Sequence, residues 1–307
     1  MLPTKEKQYL CTMANVMTPV RMGKMLRLRP DDAHKGVMGH ALLVAGSAGV
    51  GGCAVLAAES CLRSGVGKLT VATPECNRLL LQMTVPEAIV HVLHDEEGVA
   101  LFRDGERTLP WQAVGIGPGI GLSAEGLLGN VLERSANLPV VVDADALHIL
   151  AAHPEWMEML RGRAVLTPHG GEMRALASGL LADGDAQTAD GDLLAVAQRL
   201  AIYYGVWVVL KGHPTQVCHP DSHCTVCPRG NAGMATAGAG DVLTGIIAGL
   251  LAQGYGPAQA ACMGVWLHAT AGDCAAARMG QEAMLARDIT AHLADAWREL
   301  HECCMTR

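Results

Sequence analysis

The chain has 307 residues, half of them hydrophobic, and a formal net charge of −7 at pH 7. The negative charge argues against nucleic acid and anionic membrane surfaces as partners, and this length suits one large α/β domain or two small ones. The eleven cysteines are scattered, and the first ten residues carry three charged side chains and no apolar core. We therefore expect a cytoplasmic protein with reduced thiols.

Short apolar runs alternate with glycine-rich turns and helical patterns along most of the chain. Each strand, loop and helix together occupy roughly 25 to 35 residues, which predicts an α/β fold: three layers, with a mostly parallel, doubly wound sheet and helices on both faces. Residues 1–17 show no periodic pattern and are predicted to form a loose N-terminal arm. No linker divides the remainder, so residues 18–307 are predicted to form a single domain.

Apolar runs and periodicity place the individual elements. The predicted strands are 41–45, 69–73, 113–116, 139–142, 164–166 and 206–210, and the predicted helices include 54–63, 193–204 and 242–251.

The stretch 231–249 is a glycine-rich loop that runs into an apolar helix. The free N–H groups and the positive dipole end of such a helix form an anion site. Gly238 and Gly240 have no Cβ, so their backbone can approach a phosphate closely. Asp241 either caps this helix or takes a proton from a substrate hydroxyl that attacks phosphorus. Its Gly-x-Gly-Asp context favours the role of base.

Other glycine-rich or charged motifs also follow predicted strands. They are the loop 46–52, the turn 117–121, Asp143 with Asp145, His169 and Lys211. The carboxyl ends of parallel strands meet at one edge of the sheet, so these motifs should converge on one crevice. The loop 46–52 reads Gly-x-x-Gly-x-Gly, which differs from the dinucleotide-binding fingerprint. Asp145 can equally cap a helix, and Lys211 can be an ordinary turn lysine.

A second pattern points to metal chemistry. Cys218, His219, His223, Cys224 and Cys227 lie within ten residues, and Cys224-x-x-Cys227 has the spacing of a zinc knuckle. One short hairpin would have to hold all of them, and no second Cys-x-x-Cys pair is present. We therefore treat zinc as the less favoured interpretation of this hairpin, which metal analysis of the purified protein would test.

The loop 231–245 closely resembles the signature of the ADP-dependent NAD(P)H-hydrate dehydratases, which have the ribokinase-like fold. Further segments resemble the same family in the same order along the chain. They are Lys35-Gly-x-x-Gly-His40, Ala45-Gly-Ser47, Arg63-Ser-Gly-x-Gly67, Pro86-Glu87, Val114-Gly-x-Gly-Pro-Gly-x-Gly121, Asp143-Ala-Asp-Ala-Leu147, Thr167-Pro-His-x-Gly-Glu172 and Leu210-Lys-Gly212.

This resemblance implies a lyase that repairs nicotinamide cofactors. The family transfers a phosphoryl group from ADP to the hydroxyl of (S)-hydrated NADH or NADPH, and loss of phosphate then restores the ring double bond, leaving AMP. Magnesium is the implied metal, with ADP or ATP as co-substrate and no protein ligand of the metal assigned. The resemblance also implies a homo-tetramer and a separate epimerase as functional partner, since the chain has no room for an epimerase domain.

The resemblance also implies roles for individual residues. Asp241 is expected to be the catalytic base, and the hydrate pocket is expected to contain Ala45, Gly119, His169 and Asp241. The implied nucleotide-binding residues are Lys211, Gly212, His213, Pro214, Thr215 and Gly240. The implied anion hole consists of Ala237, Gly238, Ala239 and Gly240.

Two alternatives remain open at this point. One is a small-molecule kinase of the same fold, acting on a vitamin precursor or a sugar. The other is a nucleotide-binding regulator without turnover, against which the retained Asp241 argues. Many family members have proline at the position of Ala232, and proline or glycine at the position of Ala237. These differences change the stiffness of the loop more than its chemistry.

Overall fold

The protein is described by a computed structural model covering residues 15–94, 111–181 and 192–305. The strands are β1 His40–Val44, β2 Lys68–Pro74, β3 Ile89–Leu93, β4 Ala113–Ile116, β5 Val140–Val142, β6 Ala164–Leu166, β7 Trp207–Leu210, β8 Thr215–Cys218 and β9 Cys224–Cys227. The helices are α1 Pro19–Met25, α2 Gly52–Arg63, α3 Arg78–Thr84, α4 Glu125–Arg134, α5 Asp145–Ala152, α6 Gly170–Leu180, α7 Leu193–Tyr204, α8 Ala239–Ala252, α9 Pro257–Met279, α10 Ala286–Ala291 and α11 Leu293–Met305.

The nine strands form one sheet in the order β3-β2-β1-β4-β5-β6-β7-β8-β9. Strands β1 to β7 are parallel, whereas β8 and β9 add an antiparallel hairpin at one edge. From β1 the chain passes to β2 and then β3 on one side of β1, and it returns to place β4 on the other side of β1. The sheet therefore has a topological switch point between β1 and β4, where α/β proteins bind ligands.

The sheet lies between two hydrophobic cores. Alternate strand residues face opposite layers: Leu43 belongs to the core with α2, α8 and α9, and Leu42 to the core with α4 to α7. Both faces of the parallel strands are covered, which explains why they read as continuous apolar runs. The predicted three-layer, doubly wound α/β fold is confirmed. Within the described ranges, no helix combines the length and hydropathy needed to cross a membrane.

Helix α8 follows the predicted anion loop and packs closely against α2. A Cβ at Gly245 would lie 2.1 Å from the carbonyl oxygen of Ala57, and one at Gly249 would lie 1.9 Å from Ser64 Oγ. Both glycines are therefore required by the short distance between the two helices. This contact fixes the position of α8, and with it the position of Asp241, on the sheet.

Replacing Gly249 should test this helix contact. In Gly249→Ala the new methyl group would meet Ser64 Oγ and, at 2.7 Å, the carbonyl oxygen of Cys61. We expect the free energy of unfolding in urea to fall by about 1–3 kcal/mol, as for overpacked cores. Gly52→Ala is the matched control, because a Cβ there meets nothing within 4 Å. If Gly249→Ala is as stable as the control variant, the close contact is not required.

The beginning of the described chain pairs with the edge strand. Val16 bridges Val226 of β9, and the Met17 amide donates to the Val226 carbonyl at 2.8 Å. Met17 is 1% exposed, so its side chain belongs to the core. The predicted loose arm therefore falls mostly outside the described residues, and its last three residues are ordered by the sheet.

The zinc-knuckle interpretation of the β8–β9 hairpin, the less favoured one from the sequence, is wrong. Side chains alternate between the two faces of a strand, and Cys224 packs in one hydrophobic core while Cys227 packs in the other. Cys218 is the cross-strand partner of Cys224 and lies on the same face as Cys224. The two cysteines of the Cys-x-x-Cys motif therefore cannot bind one ion.

Candidate active site

A cavity of about 640 Å³ lies at the carboxyl edge of the parallel strands. Its walls come from the ends of β5, β6 and β7, the loop before α8, and the middle of α9. The predicted site residues that line it are His169, Lys211, Gly212, His213, Thr215, Gly238, Ala239, Gly240 and Asp241. Of the motifs expected to converge on one crevice, Asp143, His169 and Lys211 line this cavity together with the loop before α8, whereas the loop 46–52, the turn 117–121 and Asp145 are not part of its lining.

A buried ionic network forms one wall of the cavity. Lys211 Nζ lies 2.7 Å from Asp143 Oδ1 and 3.5 Å from Glu172 Oε2. Thr244 Oγ1 donates to Asp143 Oδ2 at 2.6 Å. Burial alone lowers the pKa of the Lys211 ammonium, but the attraction of Asp143 and Glu172 outweighs burial and raises it. Lys211 is therefore charged at neutral pH, beside the backbone of Gly240.

The loop before α8 has the geometry of an anion site. Gly238 is the N-cap residue and has φ of 90°, a conformation that glycine adopts without strain. A Cβ there would lie 2.3 Å from Leu56. The Ala239 N–H donates to the Thr236 carbonyl at 3.3 Å, whereas the N–H groups of Gly240 and Asp241, in the first helical turn, have no acceptors within the helix. They can bind phosphate oxygens, with Lys211 Nζ 3.3 Å from the place a Gly240 Cβ would occupy.

Asp241 lies in the first turn of α8, and its carboxyl group does not cap the helix. The N-cap is Gly238, without a side-chain capping hydrogen bond. Burial, and next the negative charge of Asp143, raise the pKa of Asp241 to about 6, although Lys211 opposes the shift. A partly buried carboxylate with this pKa is a suitable proton acceptor near neutral pH. The capping interpretation made from the sequence is therefore wrong, and the role of catalytic base stays a prediction.

His169 has a structural role at the start of α6. Its Nδ1 accepts hydrogen bonds from the backbone N–H groups of Gly171 and Glu172, at 3.0 and 3.2 Å. Glu172 Oε2 accepts in return from the His169 N–H at 2.7 Å, which completes a capping box. The imidazole nevertheless remains exposed at the cavity wall, so contact with a ligand is compatible with capping.

Ala45 and Gly119 lie on neighbouring loops outside the cavity lining. They follow β1 and β4, the two strands that flank the switch point, and the Gly46 N–H donates to the Pro118 carbonyl at 2.8 Å. A Cβ at Gly119 would lie 2.5 Å from Cys53 Sγ. Ala237 and Pro214, also expected at the site, are likewise absent from the cavity lining. Their expected contacts with ligands stay predictions.

Several site residues could not be assigned from the sequence. Thr244 lies one turn beyond Asp241 and fixes Asp143. Ala144 has φ of 50°, an unusual value for a residue with a Cβ, next to Asp143. His268 Nε2 lies 2.9 Å from the Ala239 carbonyl, and burial lowers its pKa to about 4, so it is neutral. Of these three residues, only Thr244 could have been predicted from the sequence, because it lies one helical turn after Asp241 and therefore on the same face of α8.

Arg229 is a further residue that sequence reasoning missed. It lines the cavity, and its guanidinium lies 4.5 Å from the centre of the Trp266 ring. It also forms an ion pair with Glu299 of α11, with Nη1 3.0 Å from Oε2. The ion pair with Glu299 and the contact with the Trp266 ring together hold the Arg229 side chain at the cavity wall.

Comparison with known proteins identifies the family to which this chain is related. Residues 41–294 match the family model described as NAD(P)H-hydrate dehydratase. The chain is 38% identical over 265 residues to the ADP-dependent (S)-NAD(P)H-hydrate dehydratase of Neisseria meningitidis, covering 84% of each protein. It is 38% identical over 294 residues to a bifunctional NAD(P)H-hydrate repair enzyme of Moorella thermoacetica, covering 94% of this chain. The chain spans 54% of that relative, about half its length.

Solved structures agree with this comparison. The ADP/ATP-dependent NAD(P)H-hydrate dehydratase of Bacillus subtilis, co-crystallised with ATP and Mg²⁺, superposes with a TM-score of 0.77 at 29% identity, covering 92% of this chain and 97% of that one. A ribokinase-like superfamily protein of Enterococcus faecalis gives a TM-score of 0.80 at 29% identity, with 93% and 96% covered. Since the family model matches most of its length, the chain belongs to the NAD(P)H-hydrate dehydratase family.

Proposed function

We propose that this protein is an ADP-dependent (S)-NAD(P)H-hydrate dehydratase. The observation that carries the proposal is the position of Asp241, whose partly buried carboxyl group shares a cavity with the N-terminus of α8 and with Lys211. A base next to an anion site is the arrangement that phosphoryl transfer to a hydroxyl requires. The N. meningitidis relative carries the same activity in its name.

The reaction proceeds in two chemical steps. The hydrate hydroxyl attacks the β-phosphorus of ADP as Asp241 accepts its proton, so an O–P bond forms and AMP leaves. The carbon–oxygen bond of the phosphate ester then breaks, a proton leaves the neighbouring ring carbon, and the double bond returns. Overall, hydrate and ADP give reduced nicotinamide cofactor, AMP, phosphate and one proton. The phosphoryl step replaces hydroxide, a poor leaving group, by phosphate.

The cavity residues divide this work. Backbone N–H groups of the loop Ala237, Gly238, Ala239 and Gly240 would stabilise the moving phosphoryl group, foremost that of Gly240, which has no acceptor within the helix. Lys211 adds a positive charge beside Gly240. Residues 211–215 would bind the nucleotide, and Ala45, Gly119 and His169 would bind the hydrate.

Magnesium fits the donor set of the cavity. Mg²⁺ keeps several waters and binds to one or two carboxylates together with substrate phosphates, and the cavity lining includes Asp143, Glu172 and Asp241. Asp143 and Glu172 already accept hydrogen bonds. The ion would therefore be held mainly by the phosphate oxygens, beside Asp143 and Asp241, and would neutralise phosphate charge.

The test follows the near-ultraviolet absorbance of reduced nicotinamide. The protein is mixed with S/R hydrate of NADH, magnesium, and either ADP or ATP. We expect a rise that stops partway, resumes when an epimerase is added, and is faster with ADP. If folded protein gives no rise in absorbance with either nucleotide, the proposal is contradicted. The next experiment would then be a screen of vitamin precursors as kinase substrates. ADP binding without any product would instead favour a regulator.

Stereospecificity and assembly are part of the proposal. We expect the protein to act on the S hydrate alone and to depend on a separate epimerase, within a cytoplasmic homo-tetramer. The M. thermoacetica relative is named a bifunctional NAD(P)H-hydrate repair enzyme, which supports a second repair activity as functional partner. We also propose that residues 18–307 act as one domain behind an arm at residues 1–17, whose last three residues pair with β9. Rapid, complete repair of pure R hydrate by this protein alone would overturn the stereochemical part.

A further inference from the structure

The turn of the β8–β9 hairpin brings two histidines together. His219 and His223 are joined across the turn by the His219 N–H, which donates to the His223 carbonyl at 3.0 Å. Their rings are stacked, with centroids 3.9 Å apart and an interplanar angle of 19°. Asp221 lies between them in the sequence, and its Oδ1 contacts His223 Nδ1.

We propose that His219, Asp221 and His223 form a binding site for zinc or a similar divalent transition-metal ion. One ligand atom from each of the three side chains lies within 4.8 Å of the other two. Tetrahedral zinc with bonds of 2.0–2.2 Å holds its ligands roughly 3.4 Å apart, so the Asp221 and His223 side chains would turn toward His219, and the His223 ring would leave its stacked position. Two imidazoles and one carboxylate are a known zinc ligand set, with the fourth position left for water.

The turn is built to present these three side chains. The Ser222 N–H donates to the His219 carbonyl at 3.2 Å, and Ser222 has φ of 75°. This is a reverse turn followed by a left-handed residue, a common three-residue hairpin connection. It places residues 219, 221 and 223 at alternate positions around a short loop. The loop geometry therefore brings the three potential ligands close together.

One ligand is fixed and two can move. His219 is 6% exposed, and its Nε2 lies 3.2 Å from Thr225 Oγ1. A hydrogen bond to one imidazole nitrogen commonly orients the ring while the other nitrogen binds a metal. The side chains of Asp221 and His223 are 69% and 43% exposed. An ion can thus enter from solvent and draw these two side chains toward the anchored imidazole.

The cysteines of the hairpin are separate from this group. Cys218 and Cys224 pair with each other across the strands, with sulfur atoms 2.9 Å apart, and pack in the core on the α7 side. His219 follows Cys218 and contacts Thr225 and Cys262, on the α9 side. The proposed ligands are therefore nitrogen and oxygen atoms.

The proposed metal site is also remote from the catalytic cavity. Thr215, at the other end of β8, lines the cavity, whereas the three proposed ligands do not. The proposal is thus independent of the dehydratase function, and its test does not rely on turnover.

The test is zinc titration by calorimetry of the intact protein, freed of metal and kept in excess Mg²⁺. We expect one equivalent of Zn²⁺ to bind, and His223→Ala and Asp221→Asn each to weaken binding at least about tenfold. Both residues are exposed, so the variants should fold. His148→Ala, which removes an exposed histidine from α5, should bind zinc as the unaltered protein does.

Cobalt identifies the ligand atoms. The Co²⁺ complex should show visible bands of nitrogen and oxygen coordination and no thiolate charge-transfer band in the near ultraviolet. The proposal is overturned if no equivalent of zinc binds, if His223→Ala binds as tightly as the unaltered protein, or if a thiolate band appears.

Discussion

Asp241→Asn should lose catalytic turnover while keeping the fold and nucleotide binding. The amide cannot accept the hydroxyl proton, and loss of a general base typically costs about 10²- to 10⁴-fold in rate. Gly238, rather than Asp241, is the N-cap, so the helix start remains intact. ADP binding measured by calorimetry should be retained or tightened, because one negative charge near the phosphates is removed. Near-normal turnover would remove Asp241 from the mechanism.

The same substitution has an expected effect on stability that separates chemistry from folding. Folding raises the pKa of Asp241 from 3.8 to about 6, so the folded state binds the proton more tightly than the unfolded state. Ionisation therefore decreases the free energy of unfolding as pH rises from about 4 to 6, by on the order of 1–3 kcal/mol. Above pH 6, Asp241→Asn should be more stable than the unaltered protein, and below pH 4 this gain should vanish.

The pH dependence of kcat/KM provides a second readout of Asp241. The ionised carboxylate is the active form, so kcat/KM should rise with pH and level off above about 6. Asp295→Asn is the matched control, because Asp295 is an acid in the first turn of α11, away from the cavity. That control should retain both the rate and the acid limb of the pH profile.

Lys211→Met should destabilise the protein more than any other single change considered. Asp143 and Glu172 are 1% and 5% exposed and both face the Lys211 ammonium. Removing one partner of a buried ion pair leaves an uncompensated charge and typically costs about 3–5 kcal/mol. We expect a loss of this size in the free energy of unfolding, measured with urea at pH 7, together with weaker ADP binding.

A second substitution makes the Lys211 prediction specific. Asp143→Asn in the Lys211→Met background removes one of the two unpaired acids, so part of the lost stability should return. Lys24→Met, at the exposed end of α1, is the control and should change stability by no more than about 0.5 kcal/mol. A Lys211→Met protein as stable as this control would show that the buried network contributes nothing.

The sequence predicted those elements whose ends carry their own local signals. Helix α7 begins and ends where expected, because Asp192 caps it through the Ala195 N–H and Gly205 ends it with φ of 67°. Strand β6 was also predicted in full, since it is a short apolar run between polar turns. Helix α8 begins at Ala239, three residues before the apolar positions 242–251 from which the helix was predicted. Glycine and alanine form its first turn there, and they give no apolar period.

The sequence predicted where the site lies on the sheet, but it did not predict which side chains of the site contact one another. The rule that ligands bind at the carboxyl ends of parallel strands placed the motifs together. It could not show that Asp143 is bound to Lys211 and Thr244, which lie 68 and 101 residues away along the chain. The failure of the zinc knuckle has a similar cause. Because side chains alternate between the two faces of a strand, two cysteines three residues apart on one strand point to opposite faces. The Cys-x-x-Cys spacing therefore excludes a shared metal ion once both cysteines are known to lie on β9.

The ion pair between Arg229 and Glu299 has a consequence for where this protein can be cut. The family match ends at residue 294 and begins at residue 41, yet Glu299 lies beyond that end and fixes an arginine of the cavity wall. Helix α1 lies before the match and packs against α11. A fragment trimmed to the matched residues would lose α1 and nearly all of α11, and Arg229 would lose its ion pair with Glu299 while keeping its contacts with Trp266 and Thr270. Expression boundaries should therefore be drawn outside both helices.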